Sequence, residues 1–173
     1  MSRFLPAAAF VLLSAALPLA YAQAPSDPQI AAIVVTANQV DIDAGKLAKD
    51  KAKSKEVRKF AQQMITDHTG VNKAATELVT KLKVKPEGNA TADSLKKGGD
   101  DNLADLRKRK GADFDKAYVD HEVVYHQAVL DAMDKTLIPS AKNDELKALL
   151  VKVRPAFVSH LEHAKHMQSH LGS

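Results

Sequence analysis

Apolar residues recur every three or four positions along four long segments of this 173-residue chain. This period is that of an amphipathic α-helix, and no segment alternates between apolar and polar residues as a half-buried strand does. The pattern therefore predicts an all-α protein. The apolar stripes consist of Ile30, Val34, Ala37, Ala44 and Ala48; Val57, Ala61, Met64, Val71, Ala75, Leu78 and Leu82; Val119, Val123, Leu130 and Met133; and Leu146, Leu149, Val153, Phe157, Ala164 and Met167.

Capping residues and prolines place the ends of the first two helices. Asp27 is expected to cap helix one, with Pro28 in its first turn, and the helix should run to about Lys53. Ser54 is a suitable cap for helix two, which should end by the Pro86 region.

Similar signals place the last two helices. Asp113 is expected to cap helix three, which Pro139 should close, and helix four should begin near Asn143. Pro155 lies inside helix four and should bend it or open its hydrogen bonding locally.

The segment between helices two and three has a weaker pattern. From Thr91 to Gly111 only short helical pieces are expected, because Gly98 and Gly99 should interrupt them. Four helices with one long, partly helical crossover between the second and third predict a four-helix bundle with ferritin-like connectivity.

The first 22 residues have the features of a secretory signal peptide. Arg3 precedes the mostly apolar residues 4–19, and residues 20–22 (AYA) form a small-x-small cleavage site. We therefore expect a signal peptide at 1–22, a short extension at 23–27 and a four-helix bundle domain at 28–171. The processed protein should be periplasmic or secreted, without a transmembrane anchor and with an envelope component as a candidate partner.

The composition narrows the range of functions. The chain has no cysteine, so disulfides and thiolate metal sites are excluded. Its formal charge of +4 is a mild excess, and the basic residues 107–110 are typical of a solvated helix end, so no nucleic-acid partner is predicted.

Three histidines carry the main chemical signal. His68, His126 and His160 each lie in the apolar stripe of a different helix, and Asp41 has the equivalent place on helix one. Glu122 lies one turn before His126 and can point the same way. Two interpretations fit: a divalent transition-metal site, or a buried hydrogen-bonded layer that fixes the register of the helices.

The same residues limit the choice of metal. Histidines with one or two carboxylates suit Zn²⁺, Fe²⁺, Mn²⁺ or Cu²⁺. A ferritin-type di-iron site needs Glu-x-x-His on two helices, and this chain has no such motif. Three further histidines near the C-terminus, His163, His166 and His170, could chelate a metal on the surface or simply form a solvated face.

Two segments stand out, residues 60–69 (FAQQMITDHT) and residues 41–48 (DIDAGKLA). They resemble the "FAxxMvxDHT" and "EIexGkLA" segments of a bacterial exported family called domain of unknown function 4142. Residues 114–118 (FDKAY) resemble its "FDxaY" start of helix three, and Pro155 with His160 and Leu161 its "PxxxxHL" ending. The resemblance implies a ferritin-like fold and an exported protein whose biochemical role is not established.

The resemblance also implies which residues merit testing: Asp67, His68, His126 and His160. Two positions depart from the family pattern. Tyr125 replaces an acidic residue before the helix-three histidine, and Asp41 replaces a longer acid in helix one. These departures weaken the transfer of a carboxylate-rich site.

No nucleophile motif or glycine-rich phosphate loop is present, which favours a non-enzymatic role. The sequence predicts a non-catalytic, exported envelope or stress-related module. The alternative is a metal-binding or metal-dependent protein with a His/carboxylate site in its core. In either case, burial is expected to lower the pKa values of the central histidines.

Overall fold

The computed structural model describes residues 24–171, so the predicted signal peptide lies outside the described residues. Within this range the chain is helical and contains no strand, which confirms the predicted all-α class. The helices are α1 (Asp27–Lys51), α2 (Lys55–Lys81), α3 (Ala90–Lys108), α4 (Gly111–Ala132), a π-helical segment (Met133–Leu137), a helical turn α5 (Ile138–Ser140) and α6 (Asp144–Leu171). None of these helices is long and apolar enough to cross a membrane.

The helix starts differ in detail from the predicted ones. Ser26, not Asp27, caps α1: its hydroxyl accepts from the Gln29 N–H, and the Gln29 side chain accepts from the Ser26 N–H, which forms a capping box. Ser54 caps α2 as predicted. Asp113 lies in the first turn of α4 but does not cap it, because the helix begins earlier, after Lys110.

The crossover is one continuous helix, α3, rather than short pieces. The predicted interruption at Gly98 and Gly99 was wrong because Gly99 lies against α1, where a Cβ would come within 2.8 Å of Val40. Close packing here selects glycine inside a helix and overrides its poor helix propensity.

Two carboxylates join the helix ends. Asp115 on α4 accepts hydrogen bonds from the backbone N–H groups of Lys53 and Ser54, at 2.8 and 2.7 Å, in the turn between α1 and α2. Asp27 at the start of α1 accepts from Lys142 and Asn143 just before α6, at 2.9 and 3.0 Å. These bonds fix α4 and α6 relative to α1.

Helix α6 continues without interruption through Pro155. Proline has no backbone N–H, so the Val151 carbonyl lacks the hydrogen bond that it would otherwise accept from residue 155. Both residues are exposed, so water can reach that carbonyl.

The apolar core consists of two clusters with a polar layer between them. One cluster joins the first half of α1 to the end of α4, the π-helical segment and the first half of α6. The other joins the second half of α1 to the starts of α2 and α4 and the end of α6. Apart from Asp115, the buried polar residues lie on α1, α2, α4 and α6 between these clusters, which places them at the same depth: Asn38, Asp41, His68, Glu122, His126 and His160.

Candidate metal centre

All five site residues predicted from the sequence meet in this polar layer. Each is at most 2% exposed, and together they come from four helices: Asp41 from α1, His68 from α2, Glu122 and His126 from α4, and His160 from α6. His68 is at the centre of α2, between Met64 and Ala75 of its buried stripe. The mid-helix positions of these residues place them together because the four helices pack side by side.

The carboxylate of Asp41 is the nearest common neighbour of two imidazoles. Its Oδ2 lies 2.8 Å from Nε2 of His68 and 3.4 Å from Nε2 of His126. One ring nitrogen from each of His68, His126 and His160 lies within 4.8 Å of the others. For comparison, tetrahedral ligands of Zn²⁺ at about 2.05 Å from the ion are about 3.3 Å from each other.

Hydrogen bonds to other groups determine which nitrogen of each ring is free. Nδ1 of His68 donates to Oδ1 of Asn38 at 2.7 Å, and Nδ1 of His126 donates to the Glu122 carbonyl at 3.0 Å. Nε2 of His160 donates to Oδ2 of Asp67 at 2.9 Å. Since these partners are hydrogen-bond acceptors, each ring nitrogen that faces them carries the proton, and the opposite nitrogen of a neutral ring carries a lone pair.

Those three lone-pair nitrogens have no hydrogen-bond partner, although each is buried. The same holds for both carboxylate oxygens of Asp41. The atoms concerned are Nε2 of His68, Nε2 of His126, Nδ1 of His160, and Oδ1 and Oδ2 of Asp41. If all three rings are neutral, these five buried atoms are acceptors with no donor among them, an arrangement that calls for a cation or for a further proton.

Asn38 is the site residue that the sequence analysis missed. Its Nδ2 donates to the Val34 carbonyl at 2.8 Å, which orients Oδ1 towards His68. The available signal was its position one turn before Asp41 on the same face of α1. An inward asparagine at that spacing is a suitable outer partner for a ligand.

The family-derived residues Asp67 and Tyr125 have different roles. Asp67 contacts His160 and not its sequence neighbour His68, as expected for adjacent residues that point about 100° apart on a helix. Tyr125 donates its hydroxyl to the Ala37 carbonyl at 2.8 Å and so connects α4 to α1. It lies beside the site without offering a ligand.

The site holds two buried carboxylates whose only basic neighbours are histidines. Among residues 24–171, no lysine or arginine forms an ion pair with Asp41 or Glu122. Burial would raise the pKa of Asp41, but the neighbouring His68, His126 and His160 together lower it below its ordinary value. Burial, followed by repulsion from Asp41, raises the pKa of Glu122 to about 7.

The histidine pKa values do not all shift as expected. Burial lowers the pKa of His160 to about 4 against the opposing effect of its hydrogen bond to Asp67, and His68 and His126 lower the pKa further. This agrees with the expectation. Burial also opposes the charge on His126, but Glu122 and Asp41 outweigh it and raise the pKa of His126 to about 9. The expectation was wrong there because it neglected the acidic neighbours.

A second polar spot lies beside the first. Asp41, Glu122 and His126 form another group whose ligand atoms lie within 4.8 Å of each other. Oε2 of Glu122 is 3.3 Å from Nδ1 of His126, and the buried hydroxyl of Tyr118 lies beside the Glu122 carboxylate and opposes the rise in its pKa. Glu122 therefore lies beside the group of three imidazoles, and His126 is the imidazole that it contacts.

The C-terminal histidines lie apart from this centre. The His163 ring packs edge-on against Phe60, with ring centroids 5.1 Å apart, and Nε2 of His170 lies 3.0 Å from Oε2 of Glu56. His166 is exposed and contacts the His170 ring. In the described part of the chain, none of the three belongs to a group with metal-binding spacing.

Fold and site together define an all-helical protein with a buried histidine and carboxylate centre. The chain belongs to the family described as "Domain of unknown function (DUF4142)", whose model matches residues 14–167. No curated protein and no solved structure shows significant similarity to the chain.

Proposed function

We propose that this protein is an exported metal-binding helical bundle. In this proposal α1, α2, α4 and α6 form a four-helix bundle with ferritin-like connectivity, and α3 is the crossover. His68, His126, His160 and Asp41 bind one divalent transition-metal ion, with Glu122 beside them. The observation that carries the proposal is the cluster of five buried, unpaired acceptor atoms on these first four residues.

The alternative, a polar layer that only fixes helix register, fits this geometry less well. Such a layer is stabilising when each buried polar atom has a partner. An unpaired buried polar atom costs about 1–3 kcal/mol, and this cost would arise several times at one point. A bound cation would remove most of this cost by accepting one lone pair from each of the four residues.

The outer hydrogen bonds support the same conclusion. A histidine ligand typically donates its second ring nitrogen to a carboxylate or carbonyl, which fixes the tautomer and the ring orientation. His160 does so to Asp67, His126 to the Glu122 carbonyl and His68 to the Asn38 amide. All three rings are therefore preorganised with the free nitrogen buried.

The ligand set favours Zn²⁺ among the candidate ions, with Fe²⁺, Mn²⁺ and Cu²⁺ as competitors. Three imidazoles disfavour Mg²⁺ and Ca²⁺, which prefer oxygen ligands. Four protein ligands complete a tetrahedral Zn²⁺ site, whereas catalytic zinc sites keep a position open for water or substrate. Together with the burial of all four ligands, this supports a non-catalytic role in holding metal in the cell envelope.

Metal analysis of protein purified without a histidine tag tests the proposal. We expect about one equivalent of metal per chain, or uptake of one equivalent on titration with Zn²⁺ after chelation. His126→Ala should lose it, whereas His166→Ala, an exposed histidine outside the centre, should not. Protein that takes up no metal on titration, or a His126→Ala variant that binds as well as His166→Ala, would reject the proposal.

A further inference from the structure

A cavity of about 660 Å³ lies beside the polar layer, bordered by α1, the start of α3, the end of α4, the π-helical segment and α6. Its deep part is formed by buried side chains, among them Val34, Leu150 and Phe157, and its rim includes the exposed Thr91 and Thr136. The volume falls within the range of roughly 300–1,000 Å³ that small-molecule sites occupy.

Among the described residues, the lining is mostly apolar and carries no charged side chain. Its few polar residues offer only amide or hydroxyl groups. Two of them, Asn38 and Tyr125, already use theirs in hydrogen bonds to His68 and to the Ala37 carbonyl. An ion buried here would find no counter-charge, and the cost of its desolvation would not be offset. The lining therefore selects a neutral ligand.

The backbone at the cavity wall is also irregular. The Ile138 N–H donates to the Met133 carbonyl, five residues back, and Met133 and Leu137 of this π-helical segment line the cavity. Short π-helical turns inside α-helices are rare and occur often at functional sites. This feature points independently to a binding role for the same region.

We propose that the cavity binds a neutral, mostly hydrocarbon small molecule. Its apolar part would contact Val34, Leu150 and Phe157, and a hydroxyl or carbonyl group would lie near the exposed threonines of the rim. This site is separate from the proposed metal ligands, since none of His68, His126, His160 and Asp41 lines the cavity. Its wall nevertheless includes Asn38 and Phe157, both of which contact His68.

Fluorescence titration of the purified protein with N-phenyl-1-naphthylamine, a neutral apolar probe, tests binding directly. Displacement by n-decanol is then compared with displacement by decanoate, both kept below micellar concentrations. We expect n-decanol to compete at least about tenfold more strongly, because the carboxylate would have to enter an uncharged cavity or stay outside it. The titration is run with a chelator, so its result does not depend on the proposed metal site.

Two matched pairs of variants locate the binding site. On α6, Val153→Trp fills the cavity, whereas Val151→Trp places the same indole on an exposed position. On α4, Val129→Phe and its exposed counterpart Val124→Phe form the second pair. Each filling variant should weaken probe binding at least about tenfold relative to its partner. Helical circular dichroism and a melting curve establish that both members of a pair are folded.

The proposal is wrong if the unmutated protein does not bind the neutral probe. It is also wrong if decanoate competes as well as n-decanol, or if a folded filling variant binds the probe with unchanged affinity. Probe binding that weakens as protein concentration rises would instead assign the cavity to contact with a second copy of the chain. If one filling variant does not fold, the pair on the other helix decides.

Discussion

Oδ2 of Asp41 and Nε2 of His68 lie 2.8 Å apart, which is hydrogen-bond distance only if Nε2 carries a proton. Because Nδ1 of His68 already donates to Asn38, the neutral ring presents a lone pair at Nε2. Two lone pairs at this distance repel each other unless a proton or a metal ion lies close to both. The contact therefore makes the stability of the protein depend on what binds there.

Divalent metal is expected to stabilise the folded protein through Asp41. A ligand at 100 times its Kd that binds only the folded state adds about 2.7 kcal/mol, which corresponds to a rise in Tm of roughly 5–10 °C for a chain of this size. Asp41→Asn should abolish most of this rise, and Asp43→Asn, an exposed acid on the same helix, should retain it. Thermal melts with and without Zn²⁺ measure the difference, and equal shifts in the two variants would contradict the role of Asp41.

Asn38 is expected to act on metal affinity through His68. Asn38→Ala removes the acceptor that orients the ring, and loss of such an outer partner typically costs 10–100-fold in affinity. Asn72→Ala is the matched control. The Asn72 side chain also forms a hydrogen bond between α2 and α1, to the Val35 carbonyl, but it lies outside the centre. Competition titrations with a chelator give the two affinities. An Asn38→Ala affinity equal to that of Asn72→Ala would show that the hydrogen bond does not tune the ligand.

The helices that carry the site were predictable because their apolar stripes have one clear period. The three histidines and Asp41 interrupt those stripes near mid-helix, which is why their meeting could be anticipated. The continuity of α3 could not, since it depends on the contact of Gly99 with Val40 of another helix. Likewise the hydrogen bond between Asn38 and His68 joins two helices, and the raised pKa of His126 depends on Asp41 of another helix as well as on Glu122.

Gly98 and Gly99 are expected to respond in opposite ways to alanine. A Cβ at Gly98 meets nothing within 4 Å, so Gly98→Ala should stabilise the protein by about 0.5–1 kcal/mol through helix propensity. At Gly99 the Cβ would lie 2.8 Å from both Cγ atoms of Val40, and overpacking should cost about 1–3 kcal/mol. Urea unfolding of both variants measures the difference. Equal stabilisation would mean that α3 does not pack closely on α1.

The pH dependence of stability should reveal His160. Its pKa in the folded protein is about 4, below the value of about 6.5 in an unfolded chain, because burial and the nearby His68 and His126 outweigh the attraction of Asp67. The unfolded state therefore binds more protons in this window. The contribution of His160 is fully present above about pH 6.5 and is lost as the pH falls towards 4.

Two neighbours act in the opposite direction. The raised pKa of Glu122, about 7, contributes stability below its unfolded value of 4.5 that is lost as the pH rises towards 7. The raised pKa of His126, about 9, contributes stability that is fully present below about pH 6.5 and is lost as the pH rises through 9. The free energy of unfolding of the unmutated protein therefore combines these effects as the pH changes, and a variant is needed to isolate the effect of His160.

His160→Gln provides that comparison, with His166→Gln as an exposed control on the same helix. Between about pH 6.5 and 4.5, the unmutated protein and the control should lose about 1–3 kcal/mol more stability than His160→Gln does. Urea unfolding in the presence of a chelator, at several pH values in this window, measures the difference while excluding competition between protons and metal. If all three proteins lose stability in parallel, His160 is not held neutral in the folded state, and the lone pair assigned to its Nδ1 is not available to a metal ion.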